Sequence, residues 1–362
     1  MEFVNTIDKF GVRHEERSQS VNAALTDFGS EHSFDEAAAI FARHYHFKIS
    51  DSTIRRVTES AGRVGEQFIK NKLEGHQKAE EKGSLSEAPL EKIFLGFDGC
   101  SIRTGVLEKI ESGTPSTPEI DISPLEVPDH SAGRTPSGRI KCRRTENWRD
   151  IRLGFAKNGP EKDSKKWFIG GMRSFPDLMG DLFALSLGLG MHENTKPVAT
   201  SDGGIGLYEG LYQTFCDLQF ILDSFHFKEH LFETAKDLGY KNGDEKIWVT
   251  VRYKLAWEGE VKLLLKELRK EHRSTQNEKI RVLIGYVKRF SDCICYGSYK
   301  EKGYPIGSGE IESSHKYITQ KRLKLAGACW RPENINPMLT LRIIKANNWW
   351  DEFLKYSIDL VA

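Results

Sequence analysis

Apolar residues recur at helical spacing through the first ninety positions. Phe34, Ala37, Ala38, Phe41 and Tyr45 form one stripe, and Ile54, Val57, Ala61, Val64 and Phe68 form a second. Ser33-Phe-Asp-Glu36 spells a capping box ahead of the first stripe, and Ser50 opens the second after a break at Phe47–Ser50. Ser52, Thr53, Arg55, Arg56 and Arg63 occupy the face opposite the second stripe. Two helices with a tight turn and one basic face predict a helix-turn-helix-like DNA-binding region over 1–74. A solvated amphipathic pair has the same pattern. The polar stretch from Gly75 to Pro89 predicts a linker over 75–90.

The texture changes at residue 91. Lys92–Phe97 is a short apolar run that reads as a strand ending in Asp98-Gly99. Five of the twelve prolines lie between Pro115 and Pro136, which predicts an exposed loop over 105–138. Trp148–Phe155 and Trp167–Gly170 read as strands, and Phe175–Met191 as a helix. Pro197–Ser201 reads as a strand ending in Asp202-Gly203-Gly204. After a short helix, Leu218–Leu222 reads as another, ending in Asp223. This order predicts an α/β domain with a mixed sheet. Residues from Leu231 to about Phe290 are rich in Leu, Lys and Glu and predict a helical insertion, about 231–300, with Ile247–Val251 as its main strand signal. The catalytic unit thus covers 91–353, with a tail over 354–362.

The chain has 362 residues, 53 Lys and Arg against 52 Asp and Glu, and a formal charge of +1. Bulk charge therefore excludes a protein that grips nucleic acid over its whole surface, but not local patches. Residues 131–167 carry eleven basic against four acidic residues, a local net of +7 that includes Lys141, Arg143 and Arg144. This segment suits contact with a DNA backbone; a solubilising loop has the same composition. The longest weakly interrupted apolar stretch, Leu182–Met191, is about half a membrane span. The first ten residues show no apolar signal core, and six scattered cysteines suit reduced thiols. These features point to a cytoplasmic protein without a membrane partner.

Two acids stand where apolar strands end beside glycine, Asp98 and Asp202. A third, Glu312, lies one turn into a helix entered through Gly307-Ser308-Gly309, on a face with His315, Lys316 and Thr319. Three carboxylates in one pocket repel one another unless cations intervene, and two Mg²⁺ about 3.5–4 Å apart suit phosphodiester cleavage.

The string Tyr304–Lys316, with Lys321-Arg-Leu-Lys324, Gly327 and Trp330, resembles the C-terminal signature of bacterial insertion-sequence transposases of the DDE type, nearest the Kra-type branch. Gly96-Phe-Asp98-Gly99 and Thr200-Ser-Asp202-Gly203 resemble that family's first and second catalytic regions, and Leu222–His226 its Asp-x-x-His pattern. The likeness covers about residues 90–353. It implies an RNase H-like catalytic domain with a helical insertion. It implies Mg²⁺, which Mn²⁺ can replace, as paired ions held by Asp98, Asp202 and Glu312, with Glu310 as the fallback ligand. Asp223 and His226 become accessory residues. Lys316, Arg322, Lys324 and Trp330 join Arg55, Arg56, Arg63, Lys141, Arg143 and Arg144 as DNA contacts; Trp330 suits either base stacking or a buried core. The implied reaction is strand cleavage at element ends followed by attack of a 3′-OH on target DNA. The implied partners are double-stranded DNA at both steps and further copies of the chain, with a location at the nucleoid. The N-terminal part is short for this family, as in a truncated or a compact member. A decayed transposase retaining only DNA binding is the alternative.

One motif competes. His226-Phe-Lys-Glu229-His230 matches the inverted zinc-protease pattern, which on a helix would set two imidazoles on one face with a glutamate base. A protease would also need a third ligand from a separate helix.

Overall fold

The computed structural model describes residues 17–85, 87–109, 142–204 and 206–359. Three helices come first: α1 (Gln19–Glu31), α2 (Phe34–Tyr45) and α3 (Asp51–Glu81). Each begins at a serine whose hydroxyl accepts a first-turn amide, Ser18 from Val21, Ser33 from Glu36 and Ser50 from Thr53. Only the serine half of the expected capping box forms, because the Glu36 carboxylate faces His32 at 3.4 Å. Leu25, Ala37, Phe41 and Ile54 make the small core that joins the three helices.

The stretch read as a linker from Gly75 is helical as far as Glu81. It lacks an apolar stripe, but Phe68 and Leu73 are buried just before it. His76 then stacks on Trp167 at 5.7 Å and bonds the Ala184 carbonyl. Once nucleated, the helix propagates at small cost through polar residues. The long α3 lies against α12 (Ile335–Ala346), and Gly62 permits the close approach: a Cβ there would meet the Pro337 carbonyl oxygen at 2.4 Å. The N-terminal helices are therefore packed onto the rest of the chain.

The chain is mixed α/β, with one five-stranded sheet in the order β3-β2-β1-β4-β5. The strands are β1 (Lys92–Lys109), β2 (Cys142–Lys157), β3 (Lys166–Gly171), β4 (Lys196–Ser201) and β5 (Gln219–Leu222). β1–β2 and β2–β3 are antiparallel, while β1–β4 and β4–β5 are parallel. The sequence predicts that β1 stops at Asp98 and that a loop begins at 105. Instead β1 runs to Lys109, paired with a β2 that starts at Cys142. Ile102 and Thr104 are buried on it, and the Trp330 backbone bridges Arg103 and Gly105 on its far edge. That burial, invisible in a polar stretch, extends the strand. The expected loop residues 110–138 lie outside the described residues.

The outer edge of β3 is covered by side chains of α12. Asn347 exchanges two bonds with the Phe168 backbone, and Asn336 accepts from the Met172 amide. Amides thus stand where a sixth strand would bond, and the edge is closed to further pairing. The apolar α4 (Phe175–Gly188) packs beneath the sheet with Leu178, Leu182 and Leu185 fully buried, and α5 (Leu207–Thr214) follows β4.

The expected insertion is helical throughout: α6 (Ser224–Asp237), α7 (Asp244–Trp257), α8 (Val261–Thr275), α9 (Glu278–Arg289) and α10 (Tyr296–Glu301). The strand signal at Ile247–Val251 falls inside α7, where Trp248 and Val249 face inward and Ile247 and Val251 outward. Phe290 and Tyr296 continue its interior into the main core. Helix α11 (Gly309–Ser314) runs on through a π-helical stretch, His315–Gln320, to a last turn at Lys321–Leu323. The expected tail is helical as far as Asp359: α13 (Trp350–Asp359) buries Phe353 against Phe68 at 5.8 Å. Among the described residues, no helix is long and apolar enough to cross a membrane.

Candidate active site

Parallel pairing of β1 with β4 ends at Gly96 and Thr200. Asp98 and Asp202 each lie two residues further on. Because side chains alternate with a period of two, they project level with each other from the same face. The Ser201 hydroxyl donates to the Phe97 carbonyl at 3.0 Å and ties the two chains at that height. Asp98 is thus not at a strand end. It sits where β1 loses its β4 neighbour while keeping β2, so the sheet opens on one side only. Its carboxylate accepts the Gly99 amide at 2.7 Å, and that of Asp202 accepts the Gly204 amide at 2.9 Å. The chain turns between them at Gly203 with φ +76°, where a Cβ would also lie 2.7 Å from the Phe290 ring.

The third acid arrives on α11, whose entry loop is held from three sides. The Thr200 hydroxyl donates to the Pro305 carbonyl at 3.0 Å, the Ser224 amide donates to the Ile306 carbonyl at 2.9 Å, and the Ser308 amide donates to Asp223. Asp223 is fully buried and also caps α6, accepting from the amides of Phe225 and His226. One carboxylate therefore fixes both the start of the insertion and the start of α11. The Ser308 hydroxyl in turn donates to Glu312 at 2.5 Å.

Glu310 points elsewhere. Its carboxylate pairs with Lys157 of β2 at 3.1 Å and Lys166 of β3 at 2.8 Å. Those lysines stabilise its charge and hold its carboxyl below the ordinary value against the upward push of burial. This commitment leaves Glu312 as the glutamate whose charge acts on Asp98.

Electrostatics joins the trio. Burial pushes the Asp98 carboxyl above its ordinary value; the His315 ring and the Gly99 amide pull it down, and the negative charges of Asp202 and Glu312 push it up again. His315 is buried, with Nε2 3.0 Å from the Asp98 carbonyl oxygen. A carbonyl can only accept, so Nε2 carries a proton; burial pushes the pKa of the ring down while the Asp98 carbonyl and carboxylate pull it up. Its Nδ1 has no partner. Among the described residues, no three His, Cys, Asp or Glu side chains are gathered closely enough to grip a metal as they stand. Each acid of the trio is turned toward its own local donor. An all-carboxylate donor set fits a hard cation such as Mg²⁺, since the charge that strains the cluster is the charge the cation neutralises.

The expected DNA contacts divide. Arg55 and Arg56 are exposed on α3, and Lys316 and Lys324 are exposed beside the acids, where the charge of Lys324 acts on His315 and Cys100. Arg63 is also exposed and donates to Asn334 at 3.1 Å. Two assignments need correction. Arg322 is 2% exposed, donates to the Gly29 carbonyl at 3.0 Å, and lies between the rings of Phe34 and Trp330. Burial lowers its pKa to about 10. Trp330 is 8% exposed, and its indole N–H donates to the Leu323 carbonyl. Both are core residues because the N-terminal helices cover them, a contact no local pattern foretells. Lys141 lies outside the described residues, as do the side chains of Arg143 and Arg144.

The competing motif does not assemble a zinc centre among the described residues. His226 pairs with Glu229 at 3.1 Å, His230 stacks on Tyr286 at 4.5 Å, and no third ligand joins them. Sequence reasoning missed Lys157 and Ser308 as supports; a lysine closing the apolar run Ile151–Lys157 was the available signal. No protein-family model matches the chain, and no curated protein matches it.

Proposed function

We propose that this chain is a DDE-type transposase that cleaves DNA at element ends and joins the freed 3′-OH to target DNA. The observation that carries this reading is the level placement of Asp98 and Asp202 at the end of the β1–β4 pairing, with Glu312 on α11 near enough for its charge to act on Asp98. Three antiparallel strands continued by two parallel ones support an RNase H-like sheet. The α2–α3 pair, with Arg55 and Arg56 exposed, supports a helix-turn-helix role.

Asp98, Asp202 and Glu312 would hold two Mg²⁺, which Mn²⁺ can replace. When bound, such ions supply activation of the attacking oxygen and charge neutralisation at the leaving oxygen. The chain's own residues do the rest. The sheet fixes the spacing of the aspartates, Asp223 and Ser308 orient Glu312, and His315 anchors the backbone of Asp98. Lys316 and Lys324 offer positive charge to the phosphates beside the cleaved bond. Joining two DNA ends calls for more than one copy of the chain at the nucleoid.

The test is cleavage and strand transfer on a plasmid carrying the element ends, in Mg²⁺, Mn²⁺ and EDTA. Asp98→Asn, Asp202→Asn and Glu312→Gln should each abolish both steps and leave DNA binding intact, and EDTA should stop the wild type. A variant that still cleaves removes its residue from the site. DNA binding without any cleavage by the wild type would leave the decayed, DNA-binding alternative.

A further inference from the structure

The helix that carries Glu312 continues into the interior, and two polar atoms there stand without partners. His315 Nδ1 and Thr319 Oγ1 are buried, and among the described residues neither has a hydrogen-bond partner. Leaving such groups unpaired in an interior is costly. Their positions differ by four, so they share one side of the helix. Both belong to the π-helical stretch His315–Gln320. Short π-helical turns are rare and recur at functional sites. Thr319 also differs from other buried hydroxyls on helices. Those of Thr26, Thr58, Ser186, Thr234 and Ser314 each donate at 2.8 Å to the carbonyl four residues back. The Thr319 hydroxyl makes no such bond, so its proton is left for another acceptor. His315 supplies one. Its Nε2 donates to the Asp98 carbonyl at 3.0 Å, and in the neutral ring this leaves Nδ1 as an acceptor.

We infer that Thr319 is a positioning residue for His315, acting through one trapped water that accepts from its hydroxyl and donates to Nδ1. The two atoms do not bond each other directly. A water both accepts and donates, so it satisfies the donor on one side and the acceptor on the other. With Nδ1 occupied as an acceptor, the ring's proton stays on Nε2 and the ring keeps its orientation. The Asp98 backbone is thereby held where β1 loses its β4 neighbour. A ring without that bond on its Nδ1 side is less firmly held against the carbonyl. The bridge is a property of the fold, whatever reaction the acids perform; its effect on cleavage rests on the transposase reading.

The experiment labels the histidines of the full chain with ¹⁵N and reads the Nδ1 resonance of His315 at about pH 8, above the ordinary imidazole value of about 6.5. His315→Gln identifies that signal among the 11 histidines. A ring nitrogen whose lone pair accepts a hydrogen bond resonates upfield of a bare one. Thr319→Val keeps the shape of the side chain and removes the hydroxyl, so its Nδ1 signal should move downfield. Thr319→Ser should keep the wild-type position. Strand cleavage in the plasmid assay should fall about 10-fold in Thr319→Val, as loss of an outer support of a metal site does, and recover in Thr319→Ser. An Nδ1 resonance that does not move in Thr319→Val overturns the inference, as does a wild-type crystal structure with no water between the two atoms. A displaced resonance with unchanged cleavage overturns the positioning role. Wild-type protein that shows the expected Nδ1 pattern but cleaves no DNA removes the transposase reading and leaves the bridge standing.

Discussion

At the scale of single residues, two glutamates two positions apart have opposite roles. The charge of Glu312 acts on Asp98, and Glu310 is consumed by Lys157 and Lys166. Lys157 is 4% exposed at its side chain, so removing its partner strands a buried ammonium. Glu310→Gln should destabilise the fold by about 2–4 kcal/mol, read by urea denaturation, whereas Glu310→Gln with Lys157→Met should recover most of the loss. The glutamate spacing was legible in the sequence. The family likeness already put Glu312 ahead of Glu310; that Glu310 is taken up by lysines about 150 positions away in the chain was not legible.

At the scale of elements, the helices were largely legible because their caps and stripes are local, but their lengths were not. Helix α3 passes its expected end because burial of Phe68 and Leu73 and the stacking of His76 stabilise it from outside. Two glycines on it separate contact from propensity. A Cβ at Gly62 would meet the backbone of Pro337, whereas one at Gly75 would meet nothing within 4 Å. Gly62→Ala should cost about 1–3 kcal/mol by overpacking, outweighing its gain in helix propensity. Gly75→Ala should stabilise by about 0.5–1 kcal/mol. Paired thermal unfolding curves test both. The extension of β1 past Asp98 follows the same logic: the strand residues alternate correctly, but only Trp330 covering its edge shows why pairing continues.

At the scale of the whole molecule, the N-terminal helices are joined to the α/β unit by charge as well as by packing. Burial tends to raise the Glu31 carboxyl, but Arg342, Lys345 and Lys321 outweigh it and hold the carboxyl at about 2. A carboxyl depressed in the folded state adds stability that is present above its unfolded value and is lost as pH falls toward its folded one. Glu31→Gln should therefore cost about 2 kcal/mol at neutral pH, allowing for partial exposure. The gap to wild type should narrow below about pH 4.5 and be nearly closed by about pH 2. Urea denaturation of both proteins from pH 7 downward checks this; a gap that does not narrow would remove the ion cluster as its cause.

The near-balance of 53 basic and 52 acidic residues says little by itself about either function or cohesion. The fold sorts those charges. Some bases remain exposed near the acids, Lys316 and Lys324 among them, while Arg322 and Arg342 are drawn inside to hold the N-terminal helices. Binding of DNA through the exposed set should fall with salt, and Arg55→Ala with Arg56→Ala should flatten that dependence by about two units of slope in a salt titration, if each arginine meets one phosphate.

By itself the sequence determined what short-range physics can carry. Caps, stripes and apolar runs are written within a few residues, so the helical N-terminus, the mixed sheet, the helical insertion, the two aspartates beside glycines and the glutamate one turn into its helix were all readable from it. The tertiary structure alone decided that Glu310 is taken up by lysines, that Arg322 and Trp330 are core, and that β1 continues past Asp98. Those outcomes turn on burial and on charges brought together from distant parts of the chain, and a side chain's exposure is a property of what the fold lays over it.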